Sequence, residues 1–182
     1  MSWQAIHERI QTPGRRVWIC AAGAGRANLF RRAAQGARHP TGWLPAHGGL
    51  IANLRVWENC ILPRSYFGAR PGEGDDRLAA DLLDRLDLSL EAGQALMAAK
   101  VHSLTGYQYG VVSALRTLMS RPALIMVECE WFAHFEQDEA IRLARLFDAE
   151  CSNATWLAIG RLAPPAPWGT FEQMECADEA VA

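Results

Sequence analysis

The stretch from Val111 to Val127 constrains the fold more than any other part of this chain. Val111, Val112, Leu115, Leu118 and Met119 recur at helical spacing and make one apolar face. Arg121-Pro122 ends that helix, because the residue before a proline is pushed out of the helical region. Ala123 to Val127 (ALIMV) follows with no polar interruption, the pattern of a strand buried on both faces of a parallel sheet. Two further short apolar runs fit the same sheet: Val17 to Cys20 (VWIC) after the Pro13-Gly14 turn, and Ala154 to Ile159 (ATWLAI). Between these runs the spacing predicts helices over Asn28 to Gln35, Asp76 to Leu88, Leu90 to Lys100 and Asp138 to Phe147. Leu50, Leu54, Trp57 and Ile61 also fall at helix-like spacing, while 36–49 and 66–75 are turn-rich. Strands alternating with helices specify an α/β fold with a parallel core sheet. Ligands of such sheets sit at the carboxyl ends of strands, here just after Cys20, Val127 and Ile159. From Ala163 the chain is Pro-rich and then acidic, and reads as a poorly packed tail.

Composition removes several alternatives. The chain has 182 residues, half of them hydrophobic, and a net charge of −2. Such a chain can bury a core, so intrinsic disorder is excluded. Near-neutral charge argues against a nucleic-acid partner, which requires a concentrated basic surface. No apolar run approaches the roughly 18–20 residues that a membrane helix needs, so no direct membrane insertion is expected. The N-terminus carries charges where a signal peptide has its apolar stretch, which points to a cytoplasmic protein. Five cysteines form no CxxC and have no neighbouring histidine at metal-ligand spacing, so buried reduced thiols are expected.

Two motifs carry chemistry. Cys20-Ala21-Ala22-Gly23-Ala24-Gly25-Arg26-Ala27-Asn28 has the shape of a phosphate-binding loop between a strand and a helix. Leu104-Thr105-Gly106-Tyr107-Gln108 precedes a helix containing Arg116, then Arg121-Pro122, the strand ALIMV, and Glu128. This second array resembles the signature motif, signature helix and Walker B strand of an ABC transporter ATP-binding subunit. Thr105 and Glu128 lie 23 positions apart, as that family requires. Gly48 to Asn59 (GGLIANLRVWEN) is similar to the segment after the family's Q-loop, with a weak likeness to importers of lipid-trafficking type. The resemblance covers residues 13–161. It implies a P-loop NTPase type of α/β fold: a parallel core sheet flanked by helices, a helical subdomain over 63–120, and an antiparallel β part. Only 19 residues separate the loop from the Q-loop, Ala27 to Pro45, so that β part must be reduced. One domain over 1–162 and a tail over 163–182 are expected.

Set against the family's pattern, most reactive positions have changed. The resemblance places nucleotide binding at Gly23, Gly25, Arg26, Ala27 and Asn28, but Ala27 lacks the Mg²⁺-binding hydroxyl and Arg26 replaces a lysine. Ala46 stands at the Q-loop glutamine. Tyr107 replaces a signature glycine where a ring would obstruct close approach of backbone to phosphate. Glu128 holds the Walker B aspartate position, where Mg²⁺ would bind, and Cys129 holds the catalytic glutamate position. A thiol is a poor general base for water at neutral pH. Phe135 and Arg161 stand at the D-loop aspartate and switch histidine. The groups of phosphoryl transfer act as a unit, so their combined loss removes catalysis.

Plainer roles compete at each position. Gly23 and Gly25 can simply permit a tight turn, Arg26 can pair with an acid, and Trp131 and Trp156 can be core. A Cys129 nucleophile would need His134 beside it. The resemblance implies a catalytically impaired scaffold of a transport complex, partnered by a membrane permease and a second ATP-binding subunit. It would be held peripherally at the membrane, with Leu50, Leu54 and Trp57 as the partner-binding surface. An active ATPase with variant motifs, using ATP and Mg²⁺, and a free-standing regulatory module are the alternatives.

Overall fold

The three apolar runs form the three interior strands of a five-stranded sheet. The computed structural model describes residues 3–21, 23–37, 40–66 and 72–175. Its strands are β1 (Arg16–Cys20), β2 (Thr41–Leu44), β3 (Leu124–Glu128), β4 (Thr155–Gly160) and β5 (Glu172–Met174). They lie in the order β2-β3-β4-β1-β5, and every pairing is parallel. All six residues of β4 and the first four of β3 are buried, as strands covered on both faces must be.

Alternation sorts the strand residues onto two cores. Val17, Ile19, Leu124, Met126, Leu157 and Ile159 face one side, with Ile6 and Ile10 of α1 (Trp3–Ile10) and Leu29, Phe30 and Ala33 of α2 (Gly23–Gly36). Ile125, Val127, Trp156 and Ala158 face the other. There they meet α3 (Val56–Tyr66), α4 (Glu73–Asp84), α6 (Gly106–Ser120) and α7 (Gln137–Glu150), with α5 (Leu90–Ala98) completing a helical layer. The result is a sheet between two layers of helices.

Several expectations need correction. The loop expected between Cys20 and Asn28 is mostly helix: α2 begins at Gly23, five residues before Asn28. The turn-rich segment 36–49 contains strand β2. Gly42 and Trp43 give no strand signal, but the register of β2 on β3, from Thr41↔Leu124 to Leu44↔Val127, is unambiguous. Gly42 is required by tertiary contact, since a Cβ there would collide with the side chain of Thr117 on α6 and press on Pro122. The helix expected from Leu50 starts only at Val56, so Leu50 and Leu54 lie on a bend. The helix expected at Asp76 begins three residues earlier, at Glu73, and ends at Asp84.

The Pro-rich stretch after Ala163 is no loose tail as far as Glu175. Trp168, 1% exposed, sits at the centre of an aromatic cluster with Trp131, Phe132, Phe147 and Trp156. β5 then extends the sheet by pairing with β1. Residues 176–182 lie outside the described residues. Apolar bulk outweighed the local Pro and Gly signals here, because a tryptophan buries more area than any other side chain. The only antiparallel pairing among the described residues is the single bridge Arg55↔Lys100. No helix among them is long and apolar enough to cross a membrane.

Candidate functional site

The ends of β1, β3 and β4 bring Cys20, Glu128 and Gly160 to one edge of the sheet. Only Ala21 and Ala22 separate β1 from α2, and Ala22 lies outside the described residues. Arg26, on the first turns of α2, points back across this edge. Its guanidinium donates to Glu130 Oε2 at 2.9 Å. Glu128 Oε2 accepts from the backbone N–H of Ala46 at 3.1 Å. The Ala46 carbonyl is held from the other side by His134 Nε2, 2.8 Å away. A peptide unit on each side of Ala46 is therefore clamped, one by β3 and one by the 3-10 turn Cys129–His134. Arg116 of α6 donates to the Gly49 carbonyl and fixes the far end of the same loop.

Cys129 is buried against Gly160. A Cβ on Gly160 would stand 2.5 Å from the Cβ of Cys129 and 3.0 Å from its sulfur, so only glycine lets the turn lie across β4. Burial, aided by the nearby Glu130 carboxylate, pushes the Cys129 thiol up to about 12. Burial does the same to Cys60, to about 12, and to Cys151, to about 11. Thiols held this high stay protonated at neutral pH. The Nε2 of His134 meets the Ala46 carbonyl and not the Cys129 thiol. Iodoacetamide at pH 8 is expected to modify the exposed Cys20 and to spare Cys60, Cys129 and Cys151 in the folded protein. Peptide mass mapping with and without denaturant measures this; fast native labelling of Cys129 would contradict the burial described.

The signature-like residues do local structural work. Thr105 caps α6 by accepting from Gln108 N at 3.2 Å, and Gln108 Oε1 accepts from Thr105 N at 3.0 Å, a reciprocal capping box. Leu104 and Tyr107 pack against the main core, and the Tyr107 ring meets Phe135 edge-on at 6.2 Å. Gly106 is the first helical residue, beside His134. Of the nucleotide-site positions, Gly23 opens α2, Gly25 is buried, Ala27 is exposed, and Asn28 accepts a hydrogen bond from Arg31.

Asn59 was not legible as a key residue. It is completely buried, and its side chain takes the Ile51 N–H at 2.7 Å while donating to Ile51 O and Arg55 O at 3.1 and 3.0 Å. It holds the bend 51–55 against α3. That bend leads to a groove of about 660 Å³ between the start of α3, α4 and α5. Trp57 lines the groove, whereas Leu50 and Leu54 do not.

Comparison with solved structures reads this architecture directly. The dimeric bacterial ABC transporter cassette MJ0796 superposes with a TM-score of 0.67 over 90% of this chain and 82% of that one, at 17% identity. This chain has the fold of an ABC transporter ATP-binding cassette. The post-hydrolysis dimer of MJ0796 bound to ADP and Pi gives 0.63, at 19% identity over 82% and 75% of the two chains. A metal-chelate type ABC transporter in an inward-facing conformation gives 0.61 at 20% identity, covering 82% of this chain. This cassette-like chain spans 63% of that transporter chain's length. At these identities the likeness is one of fold. No protein-family model and no curated protein sequence matches the chain.

Proposed function

We propose that this cassette-like chain scaffolds a transport complex and does not hydrolyse ATP. Support comes from how the charged groups at the sheet edge are spent on one another. Arg26, the cation nearest the expected phosphate position, is neutralised by Glu130. Glu128, the one carboxylate at a metal-binding position, is engaged by the Ala46 N–H. Ala27 offers no hydroxyl, Ala46 no amide, and Cys129 no carboxylate. These residues do not fit Mg²⁺, and this reading contains no phosphoryl-transfer step. Such chemistry depends on positioned charge, which the edge does not offer.

The partners in this reading are a membrane permease and a second ATP-binding subunit, with the chain held at the cytoplasmic face of a membrane. Trp57 is the anchor of the partner surface, because half-buried tryptophans beside a groove are frequent binding hot spots. Leu50 and Leu54, on the bend held by Asn59, shape its approach.

Calorimetry with ATP, with and without Mg²⁺, alongside a phosphate-release assay, tests the proposal. The expected result is no Mg²⁺-dependent release. Release that is abolished by Arg26→Ala would overturn the scaffold reading and make the altered residues a working variant.

A further inference from the structure

Cys20 and Cys129 reach the same point of the sheet edge from opposite sides. Cys20 ends β1 and pairs with Gly160 across the parallel ladder, where neighbouring strands lie about 4.8 Å apart. Val17 and Ile19 face one core and Trp18 packs against the other, so alternation puts Cys20 on the Trp18 face. Ala158 lies on that face too, and with it the position of the missing Gly160 side chain. The Cys20 sulfur leans toward β4 and donates to the Arg161 carbonyl at 3.9 Å. Cys129 comes from the other side, off the end of β3. Its sulfur stands 3.0 Å from where a Gly160 Cβ would be. Glycine puts no side chain of its own between the two thiols, and they are close enough to interact electrostatically. They differ in access: Cys20 is exposed, whereas Cys129 is 8% exposed.

We propose that this pair is a modification site for peroxide, with Cys20 as the reacting thiol and Cys129 as the resolving one. An accessible cysteine beside a second, shielded one has the layout of reversible thiol oxidation. The Cys20 thiolate attacks one oxygen of hydrogen peroxide. The O–O bond breaks, the other oxygen leaves as hydroxide, and it takes up the proton that the thiol gave up. Cys20 is then a sulfenic acid. The Cys129 sulfur attacks the Cys20 sulfur: an S–S bond forms, the S–O bond breaks, and the hydroxyl leaves with the Cys129 proton as a second water. One peroxide is reduced to two waters while two thiols are oxidised to a disulfide. Burial keeps Cys129 protonated and away from solvent reagents, which leaves it one reaction partner, the sulfur held across Gly160. The bond joins the end of β1 to the turn after β3, over β4 and just before α2, and fixes this sheet edge. None of this depends on whether the chain hydrolyses ATP.

The reduced full chain is treated with hydrogen peroxide, weighed intact, alkylated under denaturing conditions and mapped by non-reducing digestion. The expected product is about 2 Da lighter than the reduced protein, carries the Cys20 and Cys129 peptides joined, and returns to the starting mass with dithiothreitol. In Cys129→Ala, oxidation of Cys20 should stop at a sulfenic acid that dimedone traps. In Cys20→Ser, Cys129 should stay reduced, and Cys151→Ser should form the bond as the wild type does. Oxidised wild type should also melt roughly 5–10 °C above its reduced form, a gain absent from Cys129→Ala. Circular dichroism establishes that each variant is folded; if Cys129→Ala is not, the wild-type peptide map decides by itself. A sulfenic acid, a sulfinic acid or a disulfide between two copies at Cys20 of the wild type, with Cys129 still alkylated after denaturation, would overturn the proposal.

Discussion

Replacing Trp168 by alanine is expected to lower the unfolding free energy by about 3–5 kcal/mol, the range for deleting a large buried aromatic. Trp168 lies 5.2 Å from Trp131 and 5.1 Å from Phe132, ring centre to ring centre, with Trp156 and Phe147 within 6.1 Å. Its ring plugs the space between α7, β4 and the turn after β3. The indole N–H makes no hydrogen bond among the described residues, so the loss is one of burial and contact. Its backbone carbonyl accepts from Arg16, which ties the segment to the start of β1. Denaturant unfolding followed by circular dichroism measures the effect. Leu162→Ala, at a side chain 79% exposed, serves as the control and should change stability by less than about 0.5 kcal/mol. If Trp168→Ala were equally silent, residues 163–175 would be the loose tail that composition suggests.

Asn59→Leu should cost about 2–3 kcal/mol and loosen a specific segment. Leucine fills the buried volume but leaves the Ile51 N–H with no acceptor, and an orphaned buried donor carries its full desolvation cost. Ile51 O keeps a bond from Leu54 N, and Arg55 O one from Asn59 N, so those carbonyls are not stranded. The damage is therefore local. Hydrogen exchange should speed at residues 51–55 while β3 and β4 keep their protection. The bend leads directly into Arg55 and Trp57, so capture of a partner through the Trp57 surface should weaken in this variant. Uniformly faster exchange across the sheet would mean that Asn59 supports the whole fold and not the bend alone.

These two residues mark the boundary of what local pattern reveals. Continuous apolar runs located β1, β3 and β4, and helical spacing located α5, α6 and α7, because buried strands and amphipathic helices write their burial into the sequence. The cassette architecture was legible through the resemblance of residues 104–128 to that family's signature motif, helix and Walker B strand. β2 escaped, because a four-residue strand with Gly42 is specified by its neighbours β3 and α6 and not by its own side chains. β5 escaped because the exposed Glu172 and Gln173 hide a strand defined by pairing with β1.

At the site, the sequence determined which reactive groups are absent: no hydroxyl at Ala27, no amide at Ala46, a thiol at Cys129. Only the tertiary structure decided where the remaining charges go. Arg26 and Glu130 are 104 residues apart in sequence, and Glu128 and Ala46 are 82 apart. No local pattern encodes such pairs, because only chain folding brings them together. Asp76 and Asp84 line the groove from α4. Helical spacing places them on one face, and only the packing of α5 and the start of α3 makes that face the wall of a groove.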